Sequence, residues 1–370
     1  MKYCSRCICV DTRPGSIFKE IDGKLVCQAC INFEARKNVD WNQRYNLLKR
    51  ICSGYRGIGK PYDCAIPVSG GKDSHFLVWL ARKELGMNPL LIRIGDGFSI
   101  TKAGRHNIRN LQDTFNCDMV EFTPSIDVYR RMARVCFEKL GSLPFIDGSI
   151  YVSSCDIVSY YGLQLTFFGE DPLQEYGTTQ EPLKELEVLS KIMMSYDGNF
   201  WKDNGFTNEE VAFLAPPMYK HKTLFTVAPI FISHYIPWSG TRNYDIAKQH
   251  GFQDLTGEWN RTSDPTHYDS VDCIGWAVSH QWKYQKFGFG RGTDLTSRWI
   301  REGNITREDG IEIARQYDGI LDSRTLDDFL SFTGYSLKEY FDIADQWWNK
   351  ELFDYREEEW VPKFRIGVGL

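Results

Sequence analysis

SGGKDS at 69–74 puts two glycines, two hydroxyls, a lysine and an aspartate within six residues. Gly70 and Gly71 let a backbone approach an anion with no Cβ between them. Ser69 and Ser74 add hydroxyl donors and Lys72 a positive charge. Successive N–H groups at the start of a following helix would complete an anion cradle, favoured by the helix dipole. Asp73 belongs beside phosphate oxygens only if it holds a magnesium ion. A chance glycine turn is the bland alternative, but an apolar run before the loop and a helical pattern after it supply the strand–loop–helix setting. The spacing of Gly, Lys and Ser is not that of a Walker loop.

A second chemistry lies in Cys4-x-x-Cys7 and Cys27-x-x-Cys30, nineteen residues apart. Each pair fits a tight turn and offers two thiolates to a tetrahedral ion, the pattern of a zinc ribbon. Cys9 leaves the register with Cys7 open. Four thiolates leave no free coordination position, so Cys4, Cys7, Cys27 and Cys30 predict a structural zinc site; an iron–sulfur centre or free thiols are the alternatives. Cys64, Cys117 and Cys136 fall in apolar patterns and read as core, whereas Cys155 has no clear context.

These groups need a scaffold. Apolar runs at 64–68, 89–94, 119–124, 163–171 and 227–236 read as strands, and 41–52, 75–86, 103–115 and 126–141 as helices. Strands alternating with helices predict an α/β fold, a mostly parallel sheet with helices on both faces. Its ligand site lies beyond the C-terminal strand ends, here Ser69, Gly95–Asp96, Thr123 and Gly169–Glu170. From about residue 270 the chain reads as helical, with capping-box spacing at Thr306/Asp309, Thr325/Asp328 and Ser336/Glu339. The expected divisions are a ribbon at 1–40, a helix and linker at 41–60, the sheet domain at 61–265 and a mostly helical region at 266–370.

The 370 residues are 42% hydrophobic, enough for a substantial core. Net charge is −5, with twelve Lys/Arg against five Asp/Glu in residues 1–60. An acidic chain without an apolar leader or membrane-length apolar run predicts a cytoplasmic protein that is not inserted in a membrane and does not bind nucleic acid.

The loop and its setting resemble the PP-loop ATP pyrophosphatases, the adenine nucleotide alpha hydrolase-like superfamily that includes GMP synthetase, NAD synthetase, argininosuccinate synthetase and tRNA thiolases. Those enzymes bind the departing pyrophosphate on this loop and attach AMP to a carbonyl oxygen. A four-cysteine ribbon ahead of PVSGGKDS, then GED (169–171), EYG (175–177), YIPW (235–238), KFGFGRGTD (286–294) and IREGNITREDGIEIARQYDG (300–319), resembles the bacterial N-acetyl sugar amidotransferases of surface-polysaccharide and pseudaminic acid pathways. That family often has Asn at the position of Asp171.

The resemblance implies an ATP- and magnesium-dependent conversion of the N-acetyl group of a nucleotide-linked sugar to an acetamidino group, by way of an adenylated amide. It implies that Ser69, Gly70, Gly71, Lys72, Asp73, Ser74, Asp96 and Gly169 line the ATP site, that Lys72, Asp73 and Glu170 are catalytic, and that Asp73 holds magnesium. Glu175, Tyr176, Arg291 and Asp294 are the expected substrate residues, with Asp294 placed to cap a helix. The aromatic stretch 268–289 reads as helix core. His221, His234 and His267 form no recognisable metal triad. No glutaminase is present to supply ammonia, so the resemblance implies a separate glutaminase and cyclase-like partner. A PP-loop tRNA sulfur transferase is the alternative, and it would show salt-sensitive tRNA binding.

Overall fold

The structure, a computed structural model, describes residues 1–175, 177, 197–214 and 228–370. Its centre is a parallel sheet of β3 (Cys64–Pro67), β4 (Pro89–Ile94), β5 (Met119–Phe122), β6 (Leu165–Phe168) and β7 (Ala228–Phe231), in the order β5-β4-β3-β6-β7. Residues two apart share a sheet face, so adjacent residues separate. In β3, Ile66 joins a core with Phe76, Leu77 and Leu111, while Ala65 joins the opposite core with Leu90, Ile92 and Val158. The expected α/β architecture is the one observed. Strand order reverses between β3 and β6, which places the ligand crevice between the loops that leave them.

The helices flanking the sheet begin with α1 (Gln28–Ala35) and α2 (Trp41–Tyr55), then α3 (Lys72–Trp79), α4 (Lys102–Phe115), α5 (Ile126–Lys139), α6 (Pro144–Tyr160), a single turn α7 (Pro172–Glu175), α8 (Gly198–Asp203) and α9 (Gly240–Gln249). Helix α3 starts at Lys72 rather than at residue 75, so Lys72 and Asp73 occupy its first turn. β6 stops at Phe168, where Gly169 and Glu170 enter a loop that Pro172 turns into α7. β7 gives way after Phe231 to a 3-10 turn, and Val227 lies outside the described residues. Helix α6 went unread because buried residues surround it (Phe145, Ile146, Val152, Cys155, Val158), leaving no polar stripe to mark its period.

Ahead of the sheet, β1 (Phe18–Ile21) and β2 (Lys24–Cys27) form an antiparallel hairpin beside α1. Beyond it follow α10 (Ser279–Phe287), α11 (Arg291–Glu302), α12 (Arg307–Tyr317), α13 (Ser323–Thr333) and α14 (Leu337–Ala344). Capping boxes close α12 at Thr306/Asp309 and α14 at Ser336/Glu339. Thr325 caps nothing, because Asp322 accepts the N–H groups of Arg324 and Thr325 and starts α13 three residues earlier. The expected helical tail instead ends in a hairpin, β8 (Phe353–Arg356) with β9 (Glu359–Pro362). Phe137 of α5 stacks between Trp282 of α10 and Tyr340 of α14, at 4.6 and 5.0 Å between ring centres. Among the described residues no helix is long and apolar enough to cross a membrane.

Candidate active site

The loops after β3 and β6 open onto a cleft of about 380 Å³. Ser69, Gly71, Lys72, Asp73 and Ser74 form one wall, and Phe168, Gly169 and Glu170 another. Gly71 precedes α3, and no side chain caps the helix, so its first N–H groups are free to meet an anion. Ser69 Oγ accepts from Gly71 N at 3.3 Å and Ser74 Oγ from Ser69 N at 3.1 Å, folding the loop back on itself. Gly70 turns away from the cleft. Its φ is +90°, and a Cβ there would sit 3.0 Å from Ile108 Cγ1 on α4. Gly70→Ala is expected to cost about 1–2 kcal/mol from the left-handed backbone alone, read as a lowered thermal unfolding midpoint.

Lys72 is buried, with Nζ 2.6 Å from Asp269 Oδ1 and 2.8 Å from Asp73 Oδ2. Burial opposes its charge, but the two carboxylates outweigh burial and raise its pKa. Asp73 Oδ1 accepts from Asn243 Nδ2 of α9 at 2.7 Å. Asp269 in turn meets Arg291 at 3.6 Å. Burial favours the neutral Asp269 acid, yet Lys72 and Arg291 hold its pKa well below the usual carboxylate range.

Glu170 faces the cleft with Oε2 buried and without a hydrogen-bond partner. Burial first, then the charges of Glu175 and Asp73, push its carboxyl up to about 8, against a hydrogen bond from Tyr151. Gly169 leaves no room for a Cβ, which would lie 2.8 Å from Leu77 Cδ1. Glu175 reaches the cleft from α7 and pairs with Arg298 at 3.1 Å. Asp96 also lines the cleft, but its Oδ1 accepts Phe98 N at 3.0 Å and so closes a turn. Seven acidic side chains (Asp73, Asp96, Asp147, Glu170, Glu175, Asp269, Asp272) and three basic groups (Lys72, Arg291, Arg298) line the cleft, and burial favours the neutral form of Glu170, Asp147 and Asp272, whose charged forms a divalent cation would favour.

Two expected roles change. Asp294 neither caps α11 nor meets the cleft. It binds Lys283 and, at 3.0 Å, Arg13, on the side facing the ribbon. Asp318 takes the capping position by accepting Thr293 N at 3.1 Å. Residues 268–289 are not continuous helix core either. Tyr268 lies in a loop that lines the cleft, stacked on Tyr244 at 4.3 Å between ring centres, and α10 begins only at Ser279. Tyr176 and His221 lie outside the described residues. His234 bonds to Arg44 at 3.1 Å, and Cys155 is buried in an apolar cluster with Val152, Phe168 and Phe231. Asp171 accepts from Gln174 N at 3.3 Å and Gln174 Nε2, and lies 3.9 Å from Arg36, so it holds α7 rather than facing the main cleft.

Asp269, Tyr268, Asn243, Asp147 and Arg298 were missed as site residues. For Tyr268 and Asp269 a signal existed: RTSDPTHYDSVDC (261–273) is dense in Ser, Thr, Asp and Pro, the composition of a loop.

The sulfurs of Cys4, Cys7, Cys27 and Cys30 lie within 4.8 Å of one another, so Cys7 rather than Cys9 completes the set. Cys4 and Cys30 sulfurs are 3.8 Å apart and those of Cys7 and Cys27 3.6 Å. A zinc tetrahedron with Zn–S of about 2.3 Å has edges of about 3.8 Å. Cys27 N points at Cys4 Sγ (3.3 Å), and Cys9 N at Cys7 Sγ (3.4 Å), as thiolate acceptors would be served. The four cysteines therefore have the geometry to hold a metal ion.

Residues 262–365 match the family described as the C-terminal domain of WbpG-like LPS biosynthesis proteins. The chain is 28% identical over 120 residues to the uncharacterized protein MJ1599 of Methanocaldococcus jannaschii, a stretch that is 30% of this chain and 40% of that one. Among solved structures it is similar to an NMN synthetase from Francisella tularensis (TM-score 0.32, 11% identity, 81% of this chain and 94% of that chain). It is also similar to the U34-tRNA thiolase NcsA from Methanococcus maripaludis with its 4Fe–4S cluster (TM-score 0.31, 14% identity, 87% and 90%). Values this low bear on no residue's role. Residues 262–365, the stretch that matches the WbpG-like C-terminal domain family, are also the stretch that brings Tyr268, Asp269, Arg291 and Arg298 to the cleft.

Proposed function

We propose that this chain is an ATP-dependent amidotransferase that converts the N-acetyl group of a nucleotide-linked sugar to an acetamidino group. The observation that carries the reading is the meeting, in one cleft, of the uncapped start of α3, Lys72, and a carboxylic acid, Glu170, with an unpartnered oxygen. The sugar's amide oxygen attacks the α-phosphorus of ATP, and pyrophosphate leaves. Ammonia adds to the adenylated carbon, which then expels AMP together with the former amide oxygen. An amide oxygen is a poor leaving group, and adenylation makes it a good one.

In this scheme Lys72 and the first N–H groups of α3 bind the pyrophosphate end and stabilise its charge as it departs. Asp73 and its carboxylate neighbours suit magnesium, which offsets the negative charge of the polyphosphate when bound. Glu170 takes a proton from the incoming nitrogen. Zinc is the proposed occupant of the four cysteines, because a multi-iron cluster separates its cysteine sulfurs more widely than a single ion does. A separate glutaminase with a cyclase-like subunit supplies the ammonia; steady turnover on glutamine by the purified chain alone would exclude that partner.

Sulfur transfer fits less well. Cys273 is the one cysteine on the main cleft wall among the described residues, and burial followed by the charges of Asp96 and Asp272 raises its pKa well above the usual thiol value, which disfavours a reactive thiolate. The test is mass spectrometry of N-acetylated nucleotide sugars incubated with the protein, Mg-ATP and ammonium. A product with O replaced by NH, formed with equal amounts of AMP and pyrophosphate, is expected. Intact sugars throughout, with ATP consumed only when tRNA is added, would overturn the sugar assignment.

A further inference from the structure

The segment 170–175 carries a cleft carboxylate at each end, Glu170 and Glu175, yet α7 has only four residues and cannot hold its own shape. Its anchors come from the cysteine ribbon and from α11. Asn32 Nδ2 on α1, two residues beyond Cys30, donates to Leu173 O at 2.7 Å. The guanidinium of Arg301 on α11 donates to Gln174 O at 2.9 Å through one nitrogen, and another lies 3.6 Å from Cys7 Sγ. Arg36, which follows α1, lies 3.9 Å from Asp171. Gly177 packs so closely on α1 that a Cβ there would sit 2.9 Å from Ala29 N.

The buried cluster around the four thiols is built mainly of cysteines, while Tyr3, Ile8 and Val10 pack separately on Phe289 and Ala314. Five of the seven buried residues in its cluster are Cys4, Cys7, Cys9, Cys27 and Cys30, with only Val26 and Ala29 beside them. For that cluster, metal-binding free energy contributes directly to folding free energy. Four closely spaced thiols without an ion lose that restraint, and with it the fixed positions of α1 and of the sulfur that Arg301 faces.

We propose that Arg301 and Asn32 are positioning residues through which metal occupancy of the four-cysteine site sets the cleft wall 170–175. The ribbon thereby acts as a structural arm of the active site. The coupling itself is read from the contacts; its consequence for nucleotide binding rests on the ATP reading given above.

The test combines amide hydrogen exchange with equilibrium binding of a non-hydrolysable ATP analogue, using the full chain loaded with zinc and the same chain after chelation. The diagnostic amide is Glu175 N, which donates to Asp171 O at 2.8 Å. Chelation is expected to speed its exchange by about tenfold or more, the equivalent of one lost hydrogen bond, while amides of β3 and β4 stay protected. If chelation instead unfolds the whole chain, seen as lost protection in β3 and β4, Arg301→Gln and Asn32→Ala decide. Each is expected to retain one zinc per chain and still show faster exchange at Glu175 together with weaker analogue binding. Wild-type exchange at Glu175 in the zinc-loaded variants, or no change on chelation of an otherwise folded chain, would overturn the proposal. A wild-type chain that binds no ATP analogue would sink the ATP reading but leave the exchange result to judge the coupling.

Discussion

Replacing Lys72 with methionine is expected to slow release of pyrophosphate from ATP by about 10²–10³-fold, the usual loss when one preorganised charge donor is removed. Two effects must be separated. Lys72 Nζ lies between Asp269 and Asp73 at 2.6 and 2.8 Å, so its removal takes the cation from partly exposed Asp73 and leaves buried Asp269 with Arg291, at 3.6 Å, in place of two cations. Breaking a buried ion pair from one side costs about 3–5 kcal/mol, so Lys72→Met is expected to be less stable as well as slow. The double variant Lys72→Met/Asp269→Asn removes the buried charge as well. It is expected to recover much of the thermal stability and none of the activity. Single-turnover pyrophosphate release and thermal unfolding of the three proteins settle the matter. Recovery of activity in the double variant would show that Lys72 serves stability and not the leaving group.

The parts of the site that could be read in the sequence are those written contiguously. SGGKDS and the two cysteine pairs each hold their chemistry within a few residues, and local geometry alone brings the groups together. The mostly parallel sheet could be inferred because strands alternated with helices, although its strand order could not. Asp269 and Asn243 could not, because they reach Lys72 and Asp73 from segments about 170–200 residues away and their placement depends on tertiary packing. Asp294 shows a subtler limit. At 100° per residue, Arg291 and Arg298 lie within about 20° of one another on α11, whereas Asp294 lies about 60° to one side. That offset turns it from the cleft toward Arg13 of the ribbon. The glycine-rich turn marked a helix start but placed it too late, since the helix begins at Arg291 and not after Asp294, and it said nothing of which face looked inward. The closing hairpin was hidden for another reason. Its two strands are four residues each, and Phe353 is their one buried position, so period-2 alternation is faint.

Glu170→Gln is expected to lower kcat/KM by about 10²–10⁴-fold, the range for loss of a general base, and to abolish a pH inflection that the wild type shows near pH 8. The sign follows from the environment. Burial and the neighbouring charges of Glu175 and Asp73 disfavour the carboxylate and push the acid up to about 8. A base must be deprotonated to act, so wild-type kcat/KM should rise with pH and level off above about 8. The same shift acts on folding. A carboxyl that titrates near 4.5 when unfolded and near 8 when folded holds a proton in the native state that the unfolded chain has lost. The ligand-free protein should therefore lose stability as pH rises across that interval, by at most about 1.4 kcal/mol per pH unit from this group. Asp147 and Asp272, each raised to about 6 by burial, contribute in the lower part of the window, so the informative quantity is the difference between wild type and Glu170→Gln. That difference should grow from pH 5 to pH 8 and then stay constant. A constant difference across the whole range, with an unchanged rate profile, would place Glu170 outside the proton chemistry.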